Sequence, residues 1–136
     1  MQPTTAIIYS SGIGGNTGDV SRHVADSLKA DIFDLKKQTI INMSGYRRII
    51  FGTGLQMGKP PGALTRFLEA NREGLAGKKV SLFITCSCDE AKGAKQCEEV
   101  SRLLGIDDVV FFSSKSEKNE QGFDVKVDGF IDRRRE

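Results

Sequence analysis

The chain has 136 residues, enough for one domain with its own core, and its 38% hydrophobic and 28% charged residues fit a globular protein. A formal net charge of +2 gives no basic stripe of the kind nucleic acid requires, and no apolar run approaches the roughly 20 residues that span a bilayer. The N-terminus lacks the basic-then-apolar pattern of a secretion signal, and three cysteines, an odd number in a short chain, do not make a disulfide framework. The expectation is a cytoplasmic protein of one domain over residues 1–136, with no nucleic-acid partner and no membrane insertion.

In chain order, Ala6 to Tyr9 is a short apolar run that predicts a strand buried on both faces. Asp19 to Lys29 follows with Val20, Val24, Ala25 and Leu28 on one helical stripe. Ile32, Phe33 and Leu35 predict a second strand, and Arg48 to Phe51 a third; Lys36 to Gly45 between them has little periodicity. Leu64, Phe67, Leu68 and Leu75 have helical spacing, and Gly77 punctuates before a fourth strand, Val80 to Thr85. Glu90 to Leu104 reads as a helix, Val109 to Phe112 as the fifth strand, 113–122 as a polar loop, and Val125 to Arg134 as a short helix. The Arg133-Arg134-Arg135 run reads as a frayed, solvated tail. Strands alternating with helices predict an α/β fold with a parallel sheet.

Ligands of such sheets bind beyond the carboxyl ends of the strands. Three segments fall there. Ser10-Ser11-Gly12-Ile13-Gly14-Gly15-Asn16-Thr17 joins the first strand to the first helix. Its glycines let successive N–H groups point inward, and the helix N-terminus adds partial positive charge, so the loop suits a phosphate without a metal or a cationic side chain. It is neither a Walker A loop nor a Gly-x-Gly-x-x-Gly fingerprint, because Thr17 stands where the third glycine is due. The alternative is a Gly-rich turn capped by Asn16 or Thr17. Gly52-Thr53-Gly54-Leu55-Gln56-Met57 opens a long loop in which Leu55 and Met57 could lie on a flat ring, while Thr53 and Gln56 meet polar edges. Thr85-Cys86-Ser87-Cys88 is read as small residues that leave backbone groups open to a ring. Cys-x-Cys with Cys97 beyond it matches no usual metal or dithiol spacing, so no metal site is assigned; a redox-active thiol stands as the alternative. His23, the single histidine, is placed at the surface, and Asp89 and Glu90 suit a helix N-terminus.

Tyr9-Ser10-Ser11-Gly12 with Gly15-Asn16-Thr17 resembles the phosphate loop of the flavodoxin family. Tyr46 to Thr53 is similar to that family's third strand and flavin loop, and Leu64 to Leu68 with Leu75 to Phe83 to the next helix and strand. The similarity runs in order from Ala6 to Phe112. The resemblance implies a flavodoxin-like three-layer sandwich with a five-stranded parallel sheet in order 2-1-3-4-5. It implies a short-chain form that binds FMN and shuttles low-potential electrons between redox partner proteins, ferredoxin- or reductase-like. Ser10 to Thr17 would hold the phosphate, Thr53 to Met57 and Thr85 to Cys88 would flank the ring, and backbone groups near Gly52 to Gly54 would meet the flavin edge that takes up a proton. The chain departs from the family's pattern: its phosphate loop is one residue longer, it has no Trp, neither ring-flanking loop carries an aromatic, and it is not acidic. Gly52 to Leu75 also resembles the flavodoxin-type protoporphyrinogen oxidases, with Gly58 and Phe67 in similar places. A flavin-dependent oxidoreductase acting on a quinone or porphyrinogen is therefore the second reading. A non-redox module for another phosphorylated ligand is the third.

Overall fold

Parallel strands buried on both faces form the centre of the molecule, a computed structural model that describes residues 3–11 and 16–135. β1 (Thr5–Ser10), β2 (Asp31–Asp34), β3 (Arg48–Gly54), β4 (Lys79–Cys86) and β5 (Asp108–Ser113) make one parallel sheet in the order β2-β1-β3-β4-β5. This is the expected flavodoxin-like α/β order. Every residue of β1 is buried, and all of β3 but its last, which is why these strands read as continuous apolar runs rather than alternating ones. The helices are α1 (Asn16–Leu28), α2 (Gly62–Ala70), α3 (Arg72–Leu75), α4 (Glu90–Leu104) and α5 (Lys126–Arg133). None of the described helices is long and apolar enough to cross a membrane.

Two cores result, one on each face of the sheet. Val20 and Val24 of α1 and Phe130 and Ile131 of α5 close over Ile7, Ile50, Phe83 and Phe112. Leu64, Phe67 and Leu68 of α2 and Val100 and Leu104 of α4 close over Ile8, Ile49, Phe51, Leu82 and Ile84 on the other face. Full burial of each such side chain is worth about 1.5–3 kcal/mol. Phe83, Phe112 and Phe130 form a mutual cluster with centroids 5.5–6.0 Å apart. Gly52 lets β3 accept the Phe83 ring: a Cβ there would lie 2.3 Å from its nearest atom. Asp89 caps α4 by accepting from the Lys92 amide at 2.8 Å, and Gly105 ends that helix in the left-handed region.

The crossover from β2 to β3 has no helix, in keeping with its lack of periodicity. Side-chain bonds hold it instead. Asp34 accepts from the Lys36 amide, Asn42 from the Ser44 amide and hydroxyl, and the Tyr46 hydroxyl donates to Asp31 at 2.5 Å. Ile41 and Met43 plug into the core from it.

The C-terminal run corrects the expectation of a solvated tail. Arg134 is only 6% exposed. Its guanidinium donates to the Asp108 carboxylate, to the Phe130 carbonyl at 3.2 Å and to Ser81 at 3.3 Å, and it lies over the Phe130 ring. A charge run is usually solvated, but α5 carries this one arginine across the starts of β4 and β5, where specific partners compensate its burial.

Gly52→Ala should therefore destabilise the fold by about 1–3 kcal/mol through overpacking against Phe83. Urea unfolding measures it, and an unchanged midpoint would contradict the packing described. A second expectation concerns alkali. Burial, then the hydrogen bond and charge of Asp31, push the Tyr46 phenol up to about 12. Its folded pKa lies above the unfolded value of about 10. That stability is therefore whole below the unfolded pKa and is lost as pH rises through the folded one. Urea midpoints across this window should fall further for wild type than for Tyr46→Phe; parallel curves would refute the assignment.

Candidate functional site

The strand order reverses between β1 and β3, and at such a switch point the strand-end loops part to leave a crevice. A cavity of about 540 Å³ lies at this carboxyl edge, within the range of small-molecule and cofactor sites. Three loops expected to meet there do so. The start of α1 contributes Asn16 and Thr17, the end of β3 Gly54 and Leu55, and the end of β4 Thr85, Cys86 and Ser87. Gly12, Ile13, Gly14 and Gly15 lie outside the described residues.

The remaining candidates stand off from the lining. Ser10 is buried at the end of β1 with Ser11 beside it. Thr53 is buried and its hydroxyl donates to the Gly54 carbonyl at 2.8 Å. Gln56 and Lys59 exchange two backbone bonds of 2.8 and 2.9 Å, closing a turn whose central residues, Met57 and Gly58, have φ of 51° and 80°. That is the pattern of a type I′ turn. Met57 tips it, wholly exposed, so of the two apolar residues in this loop only Leu55 borders the cavity.

One buried contact joins two of the loops. Thr17 and Thr85 share a hydrogen bond between hydroxyls at 2.7 Å, and both residues are buried. It fixes the N-terminal turn of α1 against the end of β4. Orphan amides at a helix start attract anions, and the first two residues of α1 line the cavity.

The third loop departs from its reading as plain small residues. Cys86 and Cys88 are joined in a disulfide. Residues two apart on an extended chain share a face, and the bend after β4 brings the two Cα atoms to 5.6 Å, within the range a disulfide spans. Sequence spacing carried no sign of this. The loop is also tied to the chain after β5: Ser114 donates its amide to the Cys86 carbonyl at 2.9 Å and Ser113 its hydroxyl to the Cys88 carbonyl at 2.6 Å, while the Ser114 and Ser87 hydroxyls meet at 2.8 Å.

The far wall comes from the segment between β5 and α5, which sequence reasoning treated only as a polar loop. Lys118, Phe123 and Asp124 reach the cavity from it, and Phe112 from β5 itself. Asn119 organises the segment by accepting from the Gln121 and Phe123 amides. Asp124, buried, accepts from the Ser113 and Lys126 amides at 2.8 and 2.9 Å. The Lys118 ammonium donates to the carbonyls of Ser114 and Ser116 at 2.5 and 2.7 Å. His23 stacks on Phe123 with centroids 4.8 Å apart. An aromatic thus borders the cavity although neither ring-flanking loop carries one; the signal was Phe123 itself, one apolar ring in a polar run closed by Gly122.

Thr17→Val should cost about 1–3 kcal/mol by stranding the buried Thr85 hydroxyl, and adding Thr85→Val should recover part of that loss. Denaturation of the two single variants and the double variant measures the coupling. Strictly additive losses would contradict a hydrogen bond between them.

A family model described as "Flavodoxin domain" matches residues 6–126. An uncharacterised protein of Methanocaldococcus jannaschii is 32% identical over 79 residues, covering 58% of this chain and 51% of that protein; the match thus spans about half the relative's length. Oxidised flavodoxin 2 from Bacillus cereus superposes with a TM-score of 0.62 at 20% identity, covering 93% of this chain and 94% of the other. A Fusobacterium nucleatum flavodoxin mutant bound to flavin mononucleotide superposes with a TM-score of 0.53 at 19% identity, covering 90% and 74%. At these identities the two structures speak for the fold.

Proposed function

The chain belongs to the flavodoxin family, and on that premise we propose that it holds one FMN non-covalently and carries electrons between redox partner proteins. The observation that carries this reading is the shared opening of the α1 N-terminus and the β3 and β4 loops on one cavity at the switch point. In sheets of this order the switch point between β1 and β3 is where flavodoxin itself places FMN. The donor set fits the group: helix-start amides and Asn16 for a phosphate, and the apolar Leu55, Phe112 and Phe123 for a flat ring.

FMN, when bound, supplies one- and two-electron transfer; the chain's residues bind it, orient it and limit water around it. The α1 amides and Asn16 would hold the phosphate against the helix dipole. Leu55 would cover apolar ring surface, and the exposed Met57 turn would leave the ring's edge reachable by a partner. The backbone of Gly52 to Gly54 would meet the polar edge, where Gly54 is half-buried beside the cavity. The second cavity wall, Lys118 to Asp124, would lie beyond the ring-flanking loops.

Apoprotein titrated with flavins should bind FMN far more tightly than FAD, because one helix N-terminus offers one phosphate site. Asn16→Ala should cost FMN about 1–3 kcal/mol and riboflavin less, as a charged phosphate loses a donor. Equal affinity for FMN and FAD, or equal losses for FMN and riboflavin, would overturn the reading.

A further inference from the structure

We propose that Cys86 and Cys88 form a redox-active pair, a disulfide that takes two electrons from reduced flavin in the adjoining cavity and becomes a dithiol. The inference rests on the flavin reading above. Three observations carry it.

First, the disulfide does little as a staple. It closes a loop with a sequence separation of two, and restriction of the unfolded chain grows with loop length. The loop's shape is already fixed by other means: Ser113 and Ser114 hold the carbonyls of both cysteines, and Asp89 caps the helix that follows.

Second, the pair sits at the site. Cys86 is partly exposed and borders the cavity, between Thr85 and Ser87. Cys88 is 6% exposed and faces the core beneath α4. Reduction therefore enters through Cys86, and Cys88 is the sheltered member.

Third, the dithiol has a place to go. The Cys88 sulfur lies 3.8 Å from the Gln96 side-chain oxygen. That amide oxygen can accept from the thiol that forms when the disulfide opens. Cys97 is a free thiol whose pKa burial raises, offset in part by Lys126; a thiol held protonated is a poor competitor for exchange.

The step balances. The sulfur–sulfur bond breaks and two S–H bonds form. Two electrons and two protons leave the reduced flavin, which returns to its oxidised form, and no further reactant is needed. The chain would thereby hold two electron pairs, one on the flavin and one on sulfur.

The test uses the FMN-loaded chain, photoreduced anaerobically with a catalytic deazaflavin. Samples are quenched in denaturant with iodoacetamide and weighed, with apoprotein under the same light as baseline. The alkylated thiols should rise from one, Cys97, to all three cysteines as the flavin bleaches, and the apoprotein should stay at one. Wild type should take up twice the reducing equivalents per flavin of the Cys86→Ser, Cys88→Ser double variant. Flavin that bleaches while the thiol count stays at one overturns this inference and leaves the flavin reading standing. An equal rise in the apoprotein removes flavin as the donor and overturns it as well. A chain that takes up no flavin overturns both. If the double variant does not fold, the thiol count of wild type against flavin absorbance decides alone.

Discussion

The hydrogen bond between the Thr17 and Thr85 hydroxyls is the contact on which the site depends. A parallel sheet buried on both faces fixes its strands well, but the loops beyond their carboxyl ends have no ladder to hold them. Thr17 lies in the first turn of the helix after β1, and Thr85 is the penultimate residue of β4, with β3 between β1 and β4 in the sheet. One buried bond of 2.7 Å spans that gap and sets the distance between a helix N-terminus and a strand-end loop. The cavity is the space this tie leaves. Because the bond is buried, water does not compete for it, and its loss would leave an unpaired hydroxyl rather than a solvated one.

A second set of ties holds the other side. Ser113, the last residue of β5, and Ser114 after it bind the Cys86–Cys88 loop, and the segment that follows completes this side. It is itself organised by Asn119 and by the buried Asp124 carboxylate. Phe123 reaches the cavity only because that scaffold presents it, with His23 stacked behind. The site is therefore built from both ends of the chain, and its walls differ in kind. Amides and hydroxyls line the α1 side, while sulfur, an aromatic ring and a lysine lie on the other.

The sheet was legible because burial on both faces leaves a plain mark. Ala6 to Tyr9, Val80 to Thr85 and Val109 to Phe112 each form a strand that extends one residue beyond the run at either end, and the strand begun by Arg48 to Phe51 continues to Gly54. Their order came from the family resemblance, since apolar runs carry no information on neighbours. The helixless crossover showed as missing periodicity at Lys36 to Gly45. The candidate site was legible in part. Asn16, Thr17, Gly54, Leu55, Thr85, Cys86 and Ser87 border one cavity, because strand ends and helix starts are set by the topology. Phe123 and Lys118 were not found, because a polar loop held by its own Asn119 and Asp124 bonds looks in sequence like any solvated loop. Arg134 was misread for a related reason: its partners Ser81 and Asp108 are far away in the chain, and the run of charge around it points to solvent. The disulfide escaped because spacing alone does not tell a bent strand end from a straight one.

The proposed function requires that the α1 N-terminus and the β3 and β4 loops form a single site for a flavin phosphate and ring. A crystal structure of the chain with FMN tests it most directly. It should show the phosphate against the Asn16 and Thr17 amides and the ring between Leu55 and the Thr85 to Cys88 loop. A phosphate bound elsewhere, or a ring lying outside that cavity, would contradict it.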